Sequence, residues 1–218
     1  MSETPFASPL ANAYIERLAA PTPTPGGGSA AAIAGGMATA LLEMIASVSR
    51  KSVEGESAQL IDDLMPIFTR SREVFIELAS EDESAYGGFR DALALPKRTA
   101  EEKATRKQSL EAAAIAASAV PLEIAELALE LLQLVPALQD VSSHHLDADL
   151  TVCTALLGAT INSAVAMVNA NLPTIKDPDA LDEVTDRIES LLATFTEIIE
   201  AEWEELEHDD EDEEEKER

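Results

Sequence analysis

The sequence predicts an all-α fold, a single, largely antiparallel up-and-down bundle of long helices, on three observations. Apolar residues recur at spacings of three and four over long stretches, and no stretch reads as a strand. Pro- and Gly-bearing breaks separate those stretches. Hydrophobic residues make up 46% of the chain but aromatics only 4%, so the core has to come from Ala, Leu, Ile and Val, small side chains that suit close helix packing.

Residues 1–8 read as a loose leader. A short amphipathic helix is expected over about 10–19, with Leu10, Tyr14, Ile15 and Leu18 at helical spacing and a role in docking on the bundle. Residues 29–52 form a helix apolar on nearly every side (Ile33, Met37, Leu41, Leu42, Met44, Ile45), the pattern of a central helix or a subunit interface. Gly35 and Gly36 inside it cost about 1 kcal/mol each relative to Ala, which a close helix contact would offset. A long helix over 55–94 carries a stripe through Leu60, Leu64, Ile67, Phe68, Phe75, Leu78, Ala85, Phe89 and Leu93. The turn at 95–103 restarts a helix with a Thr99/Glu102 capping box, running over 100–138 with a kink at Pro121. After a loop at 140–148, a helix spans 149–171, Pro173 and IKDPD break it, and the last helix covers 178–207.

A chain of 218 residues suits one substantial core, so residues 1–206 are read as one domain and 207–218, EHDDEDEEEKER, as a disordered acidic tail. By this reading no apolar run reaches the roughly 18–20 residues of a membrane span, and MSETPFASPL lacks the blocks of a signal peptide. The lone Cys153 cannot form an internal disulfide; with no signal-peptide pattern in MSETPFASPL it suggests a reducing, cytoplasmic compartment. The formal net charge is −27, and residues 1–206 alone carry about −20, so the acidity is global. Such a surface repels nucleic acid and anionic membranes and fits a halophile's salt-screened interior.

Residues 21–34, PTPTPGGGSAAAIA, are the most unusual stretch. Pro21, Pro23 and Pro25 hold the chain extended, and Gly26, Gly27 and Gly28 permit close approach by another group. Ser29 is placed to cap the following helix. The junction reads either as a capped turn that lets an alanine face pack, or as a pocket of unpaired amides suited to an anion or carbonyl oxygen. Asp82 falls on the apolar stripe, four residues after Leu78 and about 20° from Phe75, whereas Glu77, Glu81 and Glu83 fall off it. A carboxylate there is either a satisfied structural hydrogen-bonder or a poorly solvated acid with a raised pKa. Basic residues cluster at Lys97, Arg98, Lys103, Arg106 and Lys107, with Arg50 and Lys51 elsewhere. His144, His145, Asp147 and Asp149 are discounted as a metal cluster, because adjacent histidines point in different directions. Asp149, in line with Val152, Cys153 and Leu156, also reads as a helix N-cap.

PTPTPGGGSAAA at 21–32, DESAYGGFRDALALPKRTAEEKATR at 82–106, VPLEIAE at 120–126 and NLPTIKD at 171–177 together resemble the cyclodeaminase/cyclohydrolase family. That family comprises the C-terminal domain of formiminotransferase-cyclodeaminase and the free-standing methenyltetrahydrofolate cyclohydrolases. The resemblance covers roughly residues 10–200. It implies hydrolysis of 5,10-methenyltetrahydrofolate to 10-formyltetrahydrofolate, favoured because no formiminotransferase domain is attached. The alternatives are formiminotetrahydrofolate cyclodeaminase, with ammonia release, and a non-catalytic helical assembly module. It also implies Asp82 as proton donor and acceptor, with no metal or redox cofactor. Gly26, Gly27, Gly28 and Ser29 would line the substrate pocket, Tyr86 and Phe89 would either pack in the core, the more ordinary reading, or flank the pterin ring, Lys97 and Arg106 would hold a tail of several glutamates, and Asp149 would match a family aspartate that opens a helix and serve substrate binding. Relatives carry other residues at Ser142, Ser143, Ala148 and Met167. A homodimer through the apolar helix is expected.

Overall fold

The computed structural model describes residues 9–216, so the expected leader at 1–8 and the last two residues of the expected tail lie outside it. Among the described residues there is no strand. The α-helices are α1 Pro9–Ala19, α2 Gly27–Ser49, α3 Gly55–Ala94, α4 Ala100–Leu132, α5 Val135–Gln139, α6 Asp147–Asn171 and α7 Pro178–Lys216, with 3-10 turns at His144–Leu146 and Leu172–Thr174.

Four helices form the bundle. Each of α2 and α4 packs against both α3 and α6. Neighbours run antiparallel: the start of α2 meets the later part of α3 through Ser29 and Asp82, while Glu43 near its end meets Arg72. Between α2 and α6, Thr160 Oγ1 donates to the Ala31 carbonyl and Cys153 Sγ to that of Ala38. Phe68, Phe75, Leu42, Ile45, Leu122, Leu131, Leu157 and Ile161 fill the centre. At Gly35 a β-carbon would lie 2.6 Å from the Phe75 ring, so the contact that offsets this helical glycine is an aromatic edge set against the α2 backbone. Outside the four, α7 is held to α4 by a two-pronged Arg187–Glu126 pair at 2.9 and 2.7 Å, and Phe195 covers Gly158 of α6.

Several boundaries differ from the sequence reading. The cap of α2 is Gly26, not Ser29, because an acid from α3 satisfies the first turn and leaves Ser29 inside the helix. The helix expected over 100–138 stops at Leu132 and restarts as α5, since Pro136 has no N–H to continue the ladder. The Thr99/Glu102 capping box is present, with bonds of 3.1 and 3.0 Å. Ile15, Leu18, Ile67 and Leu93, expected on apolar stripes, are exposed. Helical backbone continues to Lys216, past the 207 at which a disordered tail was expected, over a stretch rich in Glu and free of Gly and Pro. By length and composition, three segments are apolar enough to cross a membrane, Gly27–Ser49, Ala100–Gln139 and His144–Thr174, contrary to the expectation of none; half of the apolar window of Gly27–Ser49 is buried inside the bundle.

The lengths of the helices create the functional end. Pairing of α3 with α2 ends where α2 starts, at Gly28 and Asp82. Beyond it α3 runs on to Ala94 and α4 returns from Ala100 as a largely exposed hairpin, with open space beside Gly87 and Gly88.

Gly35→Ala should destabilise the fold although Ala is the better helix former. Overpacking against the buried Phe75 ring is expected to cost about 1–3 kcal/mol, read as a lower urea midpoint. A raised midpoint would show that the ring yields without cost.

Candidate active site

The amino end of α2 is the floor of the site. Gly26, with φ −128° and ψ −160°, has no side chain with which to cap it. Asp82 supplies the cap from α3: its Oδ2 accepts the Ser29 N–H at 2.9 Å. The carboxylate lies so close to α2 that a β-carbon at Gly28 would be 2.0 Å from Oδ1. Any side chain there would displace the carboxylate. A β-carbon at Gly27 would meet the Met167 sulfur of α6 at 2.8 Å, so the thioether lies over the same helix start. The amides and glycines expected to receive an anion thus already hold one, belonging to the protein.

Two opposing effects set the state of this acid. Burial raises the Asp82 pKa above its ordinary value and is the larger influence; the Ser29 N–H pulls the other way, and the neighbouring Glu83 charge adds to the rise. Glu83 is itself paired with Arg17 of α1 at 2.5 Å. On the other side, the Tyr14 hydroxyl of α1 lies 3.1 Å from Ser29 Oγ. Sequence reasoning missed Tyr14 and Arg17 as part of this site, since nothing in a local pattern links α1 to a position 66 residues away.

Tyr86, one turn beyond Asp82, is 41% exposed on the hairpin. Lys97, Lys103, Arg106 and Lys107 converge with Thr174 and Lys176 around a cavity of about 260 Å³ at the hairpin's far end. At 1.5 Å per residue, α3 rises about 18 Å from Asp82 to its end at Ala94, and the cavity is lined from Lys97 beyond that end to Leu110 on α4. Arg106 is partly engaged, donating to the Leu93 carbonyl that ends α3, and Lys176 Nζ donates to the Pro173 carbonyl. Lys176 arrives from the NLPTIKD segment, beside its own backbone bond to Glu111 at 2.7 Å. The sequence displayed that segment but gave no sign that its lysine joins the others. Arg50 stays apart, forked onto Asp62.

Asp149 is not brought to this end. It sits in the first turn of α6, whereas Met167, which touches Gly27, is 18 residues later, about 27 Å along the helix. There the charge of Asp149 joins burial in pushing the Cys153 thiol up to about 12. His145 bonds Ser143 and His144 faces Asp147, and no group of three potential metal ligands is found among the described residues.

An all-helical bundle that fixes a poorly solvated carboxylate on a helix start and gathers basic side chains around a cavity defines the class of protein. The chain belongs to the formiminotransferase-cyclodeaminase family, whose profile matches residues 11–190. It is 31% identical to the methenyltetrahydrofolate cyclohydrolase of Methylorubrum extorquens, covering 83% of this chain and 87% of that protein. The formimidoyltransferase-cyclodeaminase of Rattus norvegicus is 30% identical over 83% of this chain, which spans about a third, 34%, of that protein's length. The fold is that of the solved formiminotetrahydrofolate cyclodeaminase from Thermotoga maritima, with a TM-score of 0.75, 23% identity, and 88% of this chain and 92% of that one covered.

The raised Asp82 pKa has a sign that can be checked. Ionising a carboxylate whose folded pKa exceeds its unfolded value costs the native state at neutral pH, and the cost disappears as pH falls through the raised pKa toward 3.8. Relative to Asp82→Asn, the wild type should therefore gain stability as pH falls, levelling off below that value, in urea midpoints measured across the range. A pH-independent difference would contradict the shift.

Proposed function

We propose that this protein is a folate-dependent one-carbon enzyme that hydrolyses 5,10-methenyltetrahydrofolate to 10-formyltetrahydrofolate, with Asp82 as its acid and base. The observation that carries the reading is the Asp82 carboxylate, half withdrawn from water and fixed on the amino end of α2. The methenyl carbon between N5 and N10 is electron-poor. Water adds to it as Asp82 takes a proton, giving a tetrahedral carbon. The C–N5 bond then opens as Asp82 returns that proton to N5, and the hydroxyl proton leaves to solvent as the formyl C=O forms. No electrons are transferred, so the sequence of steps invokes no redox cofactor, and the proton balance closes without a metal.

The glutamate tail, probed best as a polyglutamate, is assigned to the cavity of Lys97, Lys103, Arg106, Lys107 and Lys176, where positive potential is concentrated on an otherwise acidic protein. Tyr86, exposed one turn beyond Asp82, is assigned to the pterin side. A role for Asp149 at this site requires a second copy of the chain. Supporting a homodimer, Met37, Met44 and Ile76 are exposed on adjoining parts of α2 and α3, and Ile76 reaches over Gly36. The global acidity supports a cytoplasm rich in salt and disfavours nucleic acid or an anionic membrane as partner. A second reading, cyclodeamination of formiminotetrahydrofolate, uses the same acid to protonate departing ammonia; it is favoured by the names of the mammalian relatives.

Methenyltetrahydrofolate absorbs in the near ultraviolet, so loss of its band on addition of enzyme reads hydrolysis, and gain of the band from formimino substrate with ammonia release reads the second reaction. Asp82→Asn should lower kcat by about 10²–10⁴-fold with the fold intact. Lys97→Gln and Lys176→Gln should each raise KM for a polyglutamylated substrate about 2–5-fold with kcat held, the scale of one partly exposed ion pair. An unimpaired Asp82→Asn variant would remove this mechanism. Light scattering across a salt series should give a dimer whose stability rises with molar salt; a monomer throughout would contradict the assembly.

A further inference from the structure

We infer that Tyr14 is a positioning residue for Asp82, anchoring α1 across the hydrogen bond that holds the acid; this rests on Asp82 being the acid and base of the reaction. The geometry is specific. Ser29 is completely buried, its N–H is given to Asp82, and its hydroxyl lies against the Tyr14 hydroxyl at 3.1 Å. Three residues on, and so on the same face of α1, Arg17 pairs with Glu83, the residue next to Asp82. The two contacts of α1 fall on the donor residue of the bond and on the neighbour of its acceptor.

Ile15 is 61% exposed and Leu18 36%, so the apolar stripe expected to dock α1 faces outward. The Arg17–Glu83 pair is largely exposed on the Arg side, where solvent screening keeps an ion pair weak. The half-buried tyrosine, with its hydroxyl against a completely buried partner, is an anchor of α1 on this end of the bundle. Tyr14 acts through Ser29 and does not need to touch substrate. Its effect is to keep α1 over the acid and water away from it. Around Asp82 the charged groups are Glu83 on α3 and Arg17 on α1; the neighbouring ends of α2 and α6 bring none, offering Gly26–Ser29 and Met167. Since burial is the larger influence on Asp82, loosening α1 lowers its pKa even though it also slackens the Ser29 N–H bond.

The test uses the full-length protein, with Tyr14→Ala, Tyr14→Phe and Ser29→Ala, and the double variant Tyr14→Phe/Ser29→Ala. Carbon NMR titration of the Asp82 carboxyl, assigned by its loss in Asp82→Asn, reads the acid without turnover. Tyr14→Ala should move its midpoint down, with Tyr14→Phe between Ala and wild type, while thermal melting stays cooperative. In turnover, kcat should fall about 10-fold in Tyr14→Phe with KM within twofold, and the double variant should lose no more than the worse single one, as expected of two ends of one contact. A midpoint unchanged or raised in Tyr14→Ala, or additive losses in the double variant, would overturn the role of Tyr14. Full activity in Asp82→Asn would instead overturn the reading on which it rests, and the titration separates the two results.

Discussion

Everything at the functional end depends on one hydrogen bond between distant parts of the chain, from the Ser29 N–H to the Asp82 carboxylate. A helix start leaves amides without partners, and most helices solve this with a local Ser, Thr, Asp or Asn. Here the local cap is a glycine, and the partner arrives from α3, 53 residues on. The same group thus completes a helix and is the acid to which the proposed chemistry is assigned. Burial opposes its charge, the amide favours it, and the balance leaves a carboxyl held closer to neutrality than one in water.

That placement explains the composition around it. A β-carbon at Gly28 would displace the carboxylate, and one at Gly27 would meet Met167. Gly35 repeats the device one layer deeper, where the Phe75 ring takes the vacant place. These glycines cost helix propensity, and the cost is offset by contacts that only bare backbone permits. The alanine-rich remainder of α2 lets α3 and α6 approach on both flanks, while Met37 and Met44 are left facing out.

Length differences between helices do the rest. Because α3 and α4 outrun α2, the bundle ends in a hairpin whose near end carries the acid and whose far end gathers cations. On a chain of net charge −27, five basic residues around one cavity make a local field opposite to that of the surface as a whole.

The sequence by itself determined the helices, the apolar identity of the core and the acid on its stripe, because helical periodicity, capping boxes and Pro or Gly breaks are short-range rules that act within one or two turns. It also displayed the glycine triplet and the cluster of cations, though not what either faces. Tertiary structure alone decided that Asp82 caps α2 in place of Ser29, that Tyr14 and Arg17 close over that cap, that Lys176 joins Lys97, and that Asp149 lies at the opposite end. These depend on the alignment of helices that are 15 to 79 residues apart in the chain, and within the bundle that alignment is set by how side chains such as Phe75 and Met167 fit against bare glycine backbone, a fit that no local pattern encodes.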